Sequence, residues 1–179
     1  RKGSTGTGHL TCLFALLPAI AALAIVASCL AYPYLFHQLA RLDLVFGAFI
    51  ACLALLFVPL VATSAMNPLL VAILLRQSAA RGDLADAGAG RVFFVSTIGS
   101  VAGVIVTAFG IIPYLGNFAA ALAVAVMLAA LPLVMLTGTS IKKSERKRVA
   151  VTGGVALAVS VAALAGAGAY TGYMWPVSY

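Results

Sequence analysis

The sequence predicts an all-α fold, a polytopic transmembrane bundle of about five spans forming one domain over residues 1–179. Two observations carry this expectation. Hydrophobic residues make up 64% of the chain and charged residues 8%, against about a quarter charged in a soluble domain. Such a chain cannot cover a water-facing surface. The apolar residues also come in runs long enough to cross a bilayer, which takes roughly 20 of them.

The first span is expected over residues 11–36, with Pro18 in its early turns and Pro33 near its exit. It is longer than the apolar core of a signal peptide and four more crossings follow, so it reads as a retained span. The second apolar run, 44–75, would extend nearly 50 Å at about 1.5 Å per residue and is expected to kink. Pro59 and Asn67-Pro68 divide it. Asn67 suits an N-cap with Pro68 at the first helical position; a single tilted, kinked helix is the other reading. The remaining spans are expected over 92–112, 118–136 and 149–170, with Pro113 to Asn117 as a tight turn between the third and fourth.

Charge sets the orientation. Arg1, Lys2, Arg76, Arg81, Arg91, Lys142, Lys143, Arg146, Lys147 and Arg148 fall on one side of five crossings, and Arg41 alone on the other. The positive-inside bias places the N-terminus in the cytoplasm and Tyr179 outside, in a bacterial inner (plasma) membrane. Tyr170, Tyr173, Trp175 and Tyr179 then form an aromatic belt at the outer interface. Lys142, Lys143, Arg146, Lys147 and Arg148 read as a topology anchor, with the chemistry to meet anionic lipid head groups as well. The net charge of +7 is therefore explained by orientation, and no nucleic-acid partner is expected; the expected partners are the bilayer and other membrane subunits.

Small residues mark two helix faces. Gly99, Gly103 and Thr107 recur every four residues, with Gly110 close to the same face, and Gly154, Ala158, Ala162 and Gly166 repeat the interval in the fifth span. Such stripes let backbones approach closely where lipid supplies no hydrophobic drive. They predict packing inside the bundle or docking onto another subunit. The hydroxyls of Ser96, Thr97, Ser100 and Thr107 are placed to bond carbonyls of their own helix or of a neighbour.

Around the third span the chain resembles the membrane domain of spermidine synthase-like proteins with a fused transporter-type membrane region. The resemblance covers roughly residues 66–136. It rests on an apolar helix ending at Arg76, a Gly/Arg loop over Gly82 to Arg91, the pair Phe93-Phe94, the segment Ser96-Thr97-Ile98-Gly99-Ser100 with Gly103 beyond it, and the turn Ile112-Pro113-Tyr114-Leu115-Gly116. The catalytic half of that family resembles a soluble aminopropyltransferase with a Gly-rich loop after a strand and acids for polyamine amines. Here Gly153-Gly154 lies inside an apolar span, and the acids are Asp43, Asp83, Asp86 and Glu145. The resemblance thus implies the membrane module without the enzyme. No catalytic residue carries over, and no aminopropyltransferase activity is expected.

Other chemistry is sparse. No ionisable acid, base or histidine occurs in 44–75, 92–141 or 149–179, whereas proton-coupled carriers place one within the membrane. Asn67 and Asn117 are polar exceptions beside turn signals and read as caps. His9 and His37 flank the first span, about 42 Å apart on a continuous helix, too far to ligate one haem together. Either would need a partner subunit to hold a pigment or haem, and the chain itself is expected to hold no cofactor. Cys12, Cys29 and Cys52 lie within or at the edges of apolar runs without a CxxC, so they read as buried small hydrophobes and no metal site is expected. The chain opens on Arg1 rather than Met, the mark of a processed start or a longer protein. The expected role is an accessory or structural membrane module. The alternative is a half-transporter for a small solute, working as an oligomer.

Overall fold

The computed structural model describes residues 3–39, 43–81, 86–138 and 143–174. They form α1 (Gly3–Leu39), α2 (Leu44–Ser64), α3 (Met66–Arg81), α4 (Asp86–Ile105), α5 (Asn117–Gly138) and α6 (Lys143–Met174), with a π-helical stretch, Val106–Ile111, continuing α4. No strand occurs among the described residues. Five segments are long and apolar enough to cross a membrane: Leu10–Leu39, Val45–Arg76, Gly90–Ile111, Asn117–Thr137 and Glu145–Ala167. The expected all-α bundle of five spans is the observed fold.

The described basic residues that flank the spans stand within helices, including Arg91, which the resemblance put at the end of a loop. Arg76 lies in α3, Arg91 in α4, and Arg146, Lys147 and Arg148 in the opening turns of α6, exposed. The reason is that helix costs a long cationic side chain nothing in propensity, while an extra helical turn carries its head beyond the apolar core. Arg1, Lys2, Arg41, Lys142, Trp175 and Tyr179 lie outside the described residues.

The bundle is small inside and large outside. Ala15, Ala19, Ala22, Leu122, Ala125, Ala129 and Ala156 are buried, while Phe46, Phe49, Leu53, Phe57 and Leu60 of α2 face outward. Lipid tails are as apolar as leucine, so burying a large side chain gains little over leaving it in lipid. Close backbone approach gains dispersion contacts on both sides, and alanine permits it. α1 packs against α2, α5 and α6, and α5 and α6 pack on each other. On α6 the buried seam runs through Val149, Gly153, Ala156, Ser160 and Ala167 at helical spacing. A Cβ at Gly153 would lie 3.0 Å from Cβ of Pro132. The contact is tight there because of proximity, not backbone conformation, and leaves no room for a side chain larger than a methyl without moving the helices. Ser160 contributes its small size to this seam, and its hydroxyl has no hydrogen-bond partner.

α2 and α3 are separated by the single residue Ala65, which keeps helical dihedrals. The Ala65 N–H donates to Val61 O at 3.0 Å and the Leu69 N–H to Ala65 O at 3.3 Å, so backbone hydrogen bonds continue across the junction. This corrects the capping expectation. Ala65, not Asn67, precedes α3, and Pro68 falls in its first turn, where N–H groups lack intrahelical acceptors anyway. Before α5 the Ala120 N–H donates to Gly116 O at 2.9 Å, which makes Gly116 the cap and Asn117 the first helical residue.

Pro59 leaves a mark one turn earlier. Without an N–H it cannot satisfy the carbonyl of Leu55. The hydroxyl of Ser28 on α1 donates to that oxygen at 2.7 Å. The proline thus opens an acceptor within the membrane, and the neighbouring helix fills it.

Candidate functional site

α4 stands apart from the rest. None of the apolar window in Gly90–Ile111 is buried inside the chain, whereas a third of it is in Leu10–Leu39. Its principal neighbour among the described elements is α3. Phe93, Phe94, Ile98, Val101 and Ile105 are exposed. A Cβ at Gly99 or Gly103 would meet nothing within 4 Å. At Gly110 the nearest such atom belongs to Val106 of the same segment, 3.9 Å away. Thr107 is half-buried.

The fifth-span stripe behaves the same way. Gly154 is half-buried, but a Cβ there or at Gly166 would meet nothing within 4 Å, and Ala158 and Ala162 are exposed. The seam that does pack runs through Gly153, one residue and about 100° around the helix from Gly154. Of the two readings of these stripes, packing inside the bundle is therefore not what they do among the described residues. Their small faces remain turned outward.

The hydroxyls divide as their spacing allows. Thr97 Oγ1 donates to the Phe93 carbonyl one turn back at 2.8 Å. Ser96 Oγ reaches across to Oδ1 of Asn67 on α3 at 3.5 Å, a long, weak bond. This pair is part of the lining of an open groove of about 620 Å³ between α1, α3 and α4. Phe14 comes from α1, Leu70 and Leu74 from α3, Val95 from α4, and Arg91 supplies its one charged group. The sequence reading missed this groove because Phe14 is more than 50 positions from the other walls, and only the fold brings them together.

His37 is exposed near the end of α1, and the His9 side chain lies outside the described set. Cys12 and Cys29 are half-buried and Cys52 exposed, all three free; exposure at Cys52 corrects its expected burial, since α2 turns that face outward. No cluster of metal-ligating side chains occurs among the described residues. Compared with family models, curated proteins and solved structures, the chain finds no match.

Proposed function

We propose that the chain is a non-catalytic membrane module that docks through α4 onto another transmembrane helix. It would act as an accessory or structural subunit of a larger membrane complex, or as the membrane part of a spermidine synthase-like protein. The observation that carries this reading is the third span, which buries none of its apolar window inside the chain. It also keeps a Gly99/Gly103 face with no neighbour within Cβ reach. Lipid tails pack poorly along such a stripe, and a second helix packs well.

Gly103→Leu tests it. The added side chain meets no neighbour in the chain, so the melting temperature in detergent is expected to stay within about 2 °C of wild type, roughly the effect of a surface substitution. Co-purification of a membrane partner, read by native mass spectrometry, is expected to fall. Unchanged partner retention would remove the docking role. A half-transporter would show the reverse pattern, with Ser100→Ala abolishing solute movement while Gly103→Leu is tolerated.

The proposed location is the bacterial inner membrane, N-terminus cytoplasmic and C-terminus outside, from the ten Lys and Arg on one side and one on the other. An outer C-terminus favours the accessory-subunit form, because a cytoplasmic enzyme after Tyr179 would need a further crossing. In intact cells an impermeant thiol reagent is expected to label Ser178→Cys and to spare Ser144→Cys. Labelling of Ser144→Cys alone would invert the topology.

A further inference from the structure

We draw no further inference here: the strongest candidate, the outward stripe of Gly154, Ala158, Ala162 and Gly166 on α6, is a row of small residues with nothing in the structure to show what covers it.

Discussion

Gly153→Leu is expected to take the bundle apart. Gly153 is buried on α6 where that helix crosses α5, and even a Cβ would stand 3.0 Å from Cβ of Pro132 and 3.4 Å from Cδ2 of Leu133. Pro132 cannot yield by changing rotamer, because its ring is fixed to the backbone and is itself buried. A leucine must therefore push the helices apart along the contact that forms the centre of the fold. Overpacking in a tight core costs about 1–3 kcal/mol, and here the same displacement weakens the Ala125/Ala129/Ala156 cluster. Gly153→Ala is expected to be milder, since a few tenths of an ångström of helix shift would relieve it. The measurement is thermal stability in detergent for Gly153→Leu beside Gly154→Leu. At Gly154 an added Cβ meets nothing within 4 Å, so that variant is expected to melt close to wild type. If the two neighbours respond equally, the seam has been placed on the wrong face of α6.

This contrast shows what was legible in the sequence. Span number and type follow from composition and run length, because the bilayer leaves a chain few choices. Which stripe of a span packs does not follow in the same way. A soluble helix marks its buried face by polarity, but in lipid both faces are apolar and that signal vanishes. Gly154, Ala158, Ala162 and Gly166 form as regular a stripe as Gly153, Ala156, Ser160 and Ala167, and only the neighbours distinguish them. The alanine core of α1 and α5 is hidden for the same reason: Ala19, Ala22, Ala125 and Ala129 belong to the buried cluster, yet an alanine in an apolar span carries no mark of it. The groove was illegible because its polar pair, Asn67 and Ser96, is 29 positions apart, and Asn67 beside a proline reads first as a cap.

The bond from Ser28 to Leu55 leads to the second large effect. The Leu55 carbonyl is without its helical donor because residue 59 is proline, and the Ser28 hydroxyl meets it at 2.7 Å from another helix. Removing that hydroxyl leaves a carbonyl unmet in the hydrocarbon region and loosens α1 from α2. An interhelical hydrogen bond in a membrane contributes about 1–2 kcal/mol in model peptides and less on average in a folded bundle, so Ser28→Ala is expected to destabilise by about 1 kcal/mol or somewhat more. Packing loss alone predicts a similar single-mutant value, so the diagnosis needs a cycle. Pro59→Ala restores an N–H at residue 59, which can take back the Leu55 carbonyl and close the α2 ladder. In that background Ser28 has no orphan acceptor to serve, and Ser28→Ala is expected to become nearly neutral. The four melting temperatures, with each variant's helix content checked by circular dichroism, give the coupling directly. A loss of the same size in both backgrounds would show that Ser28 acts through its volume, and the proline and the serine would then be independent features of the α1–α2 contact.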